Sequence, residues 1–158
     1  MIRIAESKDL TAVLTIYEGA RSFMEKTGNP NQWRRNYPPE DRTRRDIEKG
    51  CLYLVTEEDR ILGVFYFNVE DDPSYRETAP TLFAEEPYGV IHRVAVAVPG
   101  RGVAAQIFDY CRTRSPRLMI DTHRDNLPMQ RALAKAGFTP CGTVYTDRGE
   151  ERLAYYLK

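Results

Sequence analysis

The sequence has only two histidines, three cysteines and one tryptophan in 158 residues, and it carries no net charge, with 23 basic and 23 acidic side chains. Each scarcity excludes something. An odd number of widely spaced cysteines (Cys51, Cys111, Cys141) does not make a disulfide framework, and buried thiols in a reducing cytoplasm are expected instead. His92 and His123 have no Cys or His at metal-ligand spacing, so no metal site is expected. Balanced charge gives no electrostatic footprint for nucleic acid or a membrane surface. The opening MIRIAESKDL lacks the apolar run of a signal peptide, and no stretch approaches membrane-spanning length. A length of 158 residues fits one domain, 1–158, with enough apolar side chains to build a core without staples.

What is there is patterned. Ile2–Ala5 reads as a strand, and Ser7 as the cap of a helix with Leu10, Val13, Leu14, Tyr17 and Ala20 on one face. Gly28–Pro39 reads as loop and Glu40–Lys49 as a helix stopped by Gly50. Leu52–Thr56 and Ile61–Val69 are strands of a hairpin turning at Glu57–Arg60. Glu70–Pro87 holds three prolines and six acidic residues, and is expected to be a long surface loop, either a substrate entrance or a solvated face. Val90–Val98 is a strand, Val103–Arg112 a helix and Arg117–Thr122 a strand. Pro128 opens a helix striped by Met129, Ala132, Leu133 and Ala136, and Gly137 closes it. Thr139–Thr146 and Glu150–Leu157 form a last hairpin. The order is mixed α/β, with hairpins on both sides of a central β-α-β unit.

That central unit holds the chemistry. A strand runs through Pro99-Gly100-Arg101-Gly102-Val103-Ala104 straight into a helix. Glycines let a ligand approach the backbone, the first helical turn has N–H groups without intrahelical partners, and Arg101 adds positive charge, which together suit a phosphate. A helix that merely needs glycine for packing has the same local signature. An ATP site of Walker type is excluded, because no lysine followed by Ser or Thr closes the loop.

The run His92-Arg93-Val94-Ala95-Val96, the Gly-x-Gly-x-Ala loop, Asp121-Thr122-His123-Arg124-Asp125-Asn126 and Ala136-Gly137-Phe138 occur in this order. Together the segments resemble the GNAT acetyltransferase superfamily, in a bacterial branch with HRVAV, DTH-x-DN-x-x-M and CG-x-x-Y pieces, over essentially the whole chain. The resemblance implies a mixed, mostly antiparallel, splayed sheet flanked by about four helices, with acetyl-CoA lying between the strand of His92–Val96 and that of Leu118–Thr122. Main-chain groups of Val94, Ala95 and Val96 would hold its pantetheine arm, and amides of Gly100, Arg101, Gly102, Val103 and Ala104 its pyrophosphate. Asn126 matches the asparagine that contacts the cofactor arm, and it is equally an N-cap. The implied activity is acetyl transfer to a primary amine, small molecule or peptide. A CoA-binding protein without catalysis is the rival, and a homodimer stays open.

Two positions depart from that family's pattern. Pro99 stands where Gln or Arg is usual and removes a backbone donor. Leu133 stands where many members carry a tyrosine that protonates the leaving thiolate. Tyr145 is a stand-in acid, or else an inward core residue. His92 is a candidate base, placed by strand alternation on one face with Val94 and Val96, or else a structural histidine. His123 is read as orienting the 122–126 turn. Trp33 and Tyr37 either line an amine pocket or pin the early loop to the core.

Overall fold

A computed structural model describes residues 1–82 and 87–158 of the chain. A seven-stranded sheet has the order β1-β2-β3-β4-β5-β7-β6, comprising β1 (Ile2–Ile4), β2 (Leu52–Glu57), β3 (Arg60–Glu70), β4 (Tyr88–Val96), β5 (Leu118–Thr122), β6 (Thr139–Tyr145) and β7 (Glu151–Leu157). Among the described residues, β4 and β5 pair in parallel and the other pairings are antiparallel. The parallel pair needs a crossover, and α4 (Val103–Arg114) supplies it. Four further helices are α1 (Leu10–Lys26), α2 (Glu40–Glu48), α3 (Pro73–Thr78) and α5 (Leu127–Lys135). Among the described residues, no helix is long and apolar enough to cross a membrane.

The two faces of the sheet are buried separately. On one, Val13, Tyr17 and Ala20 of α1 pack with Trp33 onto Leu52, Leu54, Val64, Tyr66 and Ala95. Tyr75 of α3 continues that layer over Val90, Met119 and Ala154. On the other face, Val103, Ile107, Phe108 and Cys111 of α4 and Leu133 of α5 cover Val55, Phe65, Ile91 and Ile120. Each such aliphatic or aromatic side chain contributes about 1.5–3 kcal/mol by leaving water, so these layers dominate the stability. Gly63 lets α4 sit close: a Cβ there would come within 2.6 Å of the Val103 side chain. Cys51 and Cys111 are buried, and burial pushes the Cys111 thiol up to about 12.

Three features differ from the sequence reading. Ser7 lies inside a short 3-10 turn (Ser7–Asp9) rather than capping α1; the Asp9 carboxylate accepts from the Glu6 N–H at 2.8 Å and is gripped at both oxygens by Arg3. Part of 70–87 is helical, not loop. Asp72 caps α3 by accepting from the Ser74 N–H, Pro73 takes the first turn, and Tyr75 is fully buried. Glu85 and Glu86 of the expected acidic loop lie outside the described residues.

The third difference decides where the site forms. Tyr66 of β3 is opposite His92, but Val64 is opposite Ala95, so β4 carries one extra residue against β3. Arg93 takes it up with φ of 50°, a left-handed conformation that costs a non-glycine residue free energy. The bulge breaks the alternation. His92 shares a face with Tyr66 and Ala95, while Val94 and Val96 pack on the α4 face. The expectation that His92, Val94 and Val96 share one face is therefore corrected. The bulge holds because the Arg93 guanidinium is buried, bonded to Asp46 at 2.9 Å and stacked over the Tyr66 ring at 4.6 Å.

Candidate active site

Strands β4 and β5 pair only from Gly89–Leu118 to Ile91–Ile120. Past Ile91, β4 bends away at its bulge while β5 stays zipped to β7 through Thr122–Leu153. The strands therefore splay, and no strand among the described residues pairs with the β5-facing edge of His92–Val96. Exposed main-chain donors and acceptors on such an edge await a partner. A cleft of about 590 Å³ opens at the fork, lined by Ile91, Val94, Ile120, Thr122, Asn126 and Met129 where the strands part. The Thr122 hydroxyl is buried without a hydrogen-bond partner.

At the far end of β4, 97–102 turns the chain into α4. Gly100 and Gly102 have φ of 78° and 65°, and Gly102 is the helix N-cap. A Cβ on either would meet nothing within 4 Å, so their requirement is backbone conformation and an open approach, not packing. Val103 is in the core, which fixes the first turn of α4, whose leading N–H groups have no intrahelical partner. Arg101 forms an exposed ion pair with Glu57, the kind that contributes about 0–1 kcal/mol and yields readily to an anion. Asn126 caps α5, its carboxamide oxygen accepting from the Met129 N–H at 3.1 Å, while its NH2 donates to Gln32 at 2.8 Å. The N-cap role read from the sequence is met, and the same side chain ties the early loop to the head of α5.

His92 sits on the other side of the fork in a polar cluster. Its Nε2 lies 3.3 Å from an Asp72 oxygen, and its Nδ1 lies 4.0 Å from Asp121. The ring is held between the aromatic rings of Tyr66 and Tyr75. Tyr75 donates its hydroxyl proton to Asp121, and Tyr66 donates to Glu70 at 2.9 Å. Burial first, and the adjacent carboxylates second, push both phenols up, so they remain donors. Burial alone would raise the Asp72 pKa; hydrogen bonds from His92 and from the N–H groups of Ser74 and Tyr75 outweigh it and hold Asp72 ionised, below its ordinary value. An ionised carboxylate only accepts, so Nε2 carries the proton it shares with Asp72, and Nδ1 is the ring nitrogen turned toward Asp121. This is the geometry of an oriented base.

Glu70, Asp72 and His92 place ligand atoms within 4.8 Å of one another, a donor set of two carboxylates and an imidazole that can hold a divalent ion. Spacing in the sequence did not show it, because the three residues come from β3, the cap of α3 and β4. Their present hydrogen bonds already satisfy the carboxylates: Glu70 also accepts from Asn68.

The remaining candidates fall in two groups. Tyr145 lines the cleft and is 58% exposed, which corrects the reading of an inward core residue. Trp33 is buried against Tyr17 in an edge-on contact and Tyr37 packs on Trp33; both also line the cleft, so they pin the loop and shape the pocket. His123 accepts from the Asp125 N–H through Nδ1 at 3.0 Å, the turn-orienting role read from the sequence. Leu133 is fully buried. Asp121, Asp72, Tyr75 and Glu70 are the site residues that sequence reasoning missed. The Asp72-Pro73 pair, a cap followed by a first-turn proline, was the available signal for one of them.

Neither a protein-family model nor a curated protein sequence matches the chain; solved structures do. An acetyltransferase of the GNAT family from Streptococcus agalactiae superposes with a TM-score of 0.89 at 27% identity, covering 99% of this chain and 94% of that one. A GNAT-family acetyltransferase from Bacillus cereus gives 0.65 at 20% identity, covering 100% and 96%. An N-acetyltransferase from Staphylococcus aureus gives 0.66 at 18% identity, covering 100% and 97%. All three show that the chain has the fold of the GNAT acetyltransferases, and the 27% identical neighbour supports a general acetyltransferase activity.

Proposed function

We propose that the protein transfers an acetyl group from acetyl-CoA to a primary amine, a small molecule or a peptide N-terminus, by direct attack of the amine on the thioester. The observation that carries this reading is the Asp72–His92 pair placed beside the splay of β4 and β5. The fork offers an unpaired strand edge suited to an extended amide-containing arm, and the αL glycines with the α4 N-terminus suit its pyrophosphate. Val94, Ala95 and Val96 would hold the arm, and Gly100, Arg101, Gly102, Val103 and Ala104 the phosphates, with Asn126 at the arm's other side. The thioester supplies an activated carbonyl carbon.

The chain's own residues handle the proton. An acceptor arrives as an ammonium, which Asp121 attracts, and the Nδ1 lone pair of His92 takes one proton to free the nitrogen. Asp72 holds the ring through Nε2 and stabilises the imidazolium that forms. As the new C–N bond forms and the C–S bond breaks, Tyr145, open to the cleft, protonates the departing sulfur; the second proton of the nitrogen restores the Tyr145 phenol, and the His92 imidazolium gives its proton to water.

A second reading, CoA binding without catalysis, draws on buried Leu133 and on Pro99. One experiment separates the two: free-thiol release from acetyl-CoA across a panel of amines, beside a melting curve with and without CoA. Amine-dependent thiol release is expected. A CoA-induced shift without release supports the binder, and indifference to millimolar CoA overturns both.

A further inference from the structure

The proposed chemistry uses the acidic residues around His92; α2 brings the opposite charge to the same cleft. Arg42, Arg45, Asp46 and Lys49 of α2 and its C-terminal edge all line the cleft, and the spacing i, i+3, i+4, i+7 is that of a single helical face. Asp46 does not offset the others, because it is buried and committed to Arg93 at 2.9 Å. Among the described residues, Arg42 pairs with the exposed Asp147 at 3.4 Å and Arg45 with the exposed Asp41 at 3.6 Å. Ion pairs of that exposure contribute little and exchange readily for a ligand anion. Arg148 adds to this pole from the β6–β7 turn. It lies over the Tyr37 ring at 4.5 Å and shares the Glu150 carboxylate with Arg152, so one negative charge serves two positive ones.

The same cleft is lined by Glu70, Asp72 and Asp121 around His92. A cleft with an acidic and a basic pole complements a molecule that carries both charges. A polyamine would meet like charge at α2, and an uncharged chain would leave that face without a partner. Building on the acetyltransferase reading, we infer that the acceptor is a small amine bearing a carboxylate, an amino-acid-like zwitterion. Its ammonium lies at Asp121 and His92, and its carboxylate at the face of Arg42, Arg45 and Lys49.

The test uses the full chain saturated with CoA and reads binding by calorimetry. Free α-amino acids and ω-amino acids of increasing length are each compared with the corresponding amide and the decarboxylated amine. At least one carboxylate-bearing amine is expected to bind about tenfold tighter than both counterparts. In the double variant R45Q/K49Q that advantage should disappear, while the CoA-induced rise in Tm stays. In turnover the same loss should fall on KM and spare kcat. Equal or tighter binding of the amide or the decarboxylated amine, an unmoved double variant, or acetylation confined to peptide N-termini overturns the inference. A binding preference without thiol release would sink the transferase reading alone, and thiol release without the preference would sink this inference alone.

Discussion

His92 is the residue on which enzyme and binder part company. Its Nδ1 faces the cleft and its Nε2 is held by Asp72, so a base role and a structural role make different demands on the same ring. Glutamine keeps hydrogen-bonding capacity at this position but cannot take a proton near neutrality. His92→Gln should therefore bind CoA with unchanged affinity yet lose roughly 10²–10⁴ in turnover near pH 7, and recover part of it at high pH where free amine is plentiful. Asp72→Asn replaces an accept-only carboxylate by a carboxamide that can also donate, so it no longer fixes the tautomer and should lower kcat in the same direction by a smaller factor. Steady-state kinetics from pH 6 to 10 on the three proteins decide it. A variant His92→Gln with wild-type rate and pH profile would remove the imidazole from the mechanism, and a lowered Tm with a surviving profile would make it a strut.

At the scale of elements, the proposed cofactor site joins the splay of β4 from β5 to the turn into α4, and Gly102 is the position that tests its phosphate end. With φ of 65° it sits where a β-branched residue is an outlier, and the open space around it means that a substitution acts through the backbone alone. Gly102→Val should cost about 1–2 kcal/mol of stability, which a domain of ordinary stability survives, while re-aiming the first amides of α4. Saturating CoA at about 100 times its Kd would stabilise the wild type by about 2.7 kcal/mol, roughly 5–10 °C in Tm for a chain of this size. The variant should melt as a folded protein and show none of that shift. Gly149→Val, with φ of 77° in the β6–β7 turn, is the control that bears the same backbone strain and keeps the shift. An intact shift in Gly102→Val would detach the loop from the cofactor. Much of this device was legible in the sequence, because αL glycines before a helix, the Asn126 cap and a β-α-β crossover each leave a local mark. The bulge at Arg93 was not. One extra residue in a strand changes no composition, and its cause, a buried Asp46 from α2, is far away in sequence. The cluster of Glu70, Asp72 and Asp121 was hidden for the same reason, since tertiary packing of α3 under Tyr75 creates it.

For the whole molecule, the perturbed groups on which a sign can be placed agree about acid. Burial, reinforced by the nearby Arg152 charge, holds the His123 imidazole below the ordinary histidine value, and its Nδ1 must stay unprotonated to accept from the Asp125 N–H. Asp72 is held below its ordinary value by His92 and the α3 amides against the opposing effect of burial, and Asp9 chiefly by Arg3. A lowered pKa in the folded state gives stability that is present above the unfolded pKa and is lost as pH falls through the folded one. For all three groups the unfolded chain takes up protons first, so each favours unfolding on acidification. The windows differ: His123 begins to act below about 6.5, and the two aspartates below about 3.9. The contribution of His123 is isolated by comparing the wild type with His123→Gln, which cannot titrate. The wild type should melt higher at pH 7.5, where the imidazole is neutral and keeps its bond across the turn. Its advantage should shrink as pH is lowered to 5, because protonation abolishes the acceptor that glutamine never had to lose. Melting curves at half-unit intervals measure that difference directly. An advantage that stays constant or grows toward pH 5 would mean that the imidazole is charged in the folded protein, and the 122–126 turn at the mouth of the fork would then be held by something other than His123.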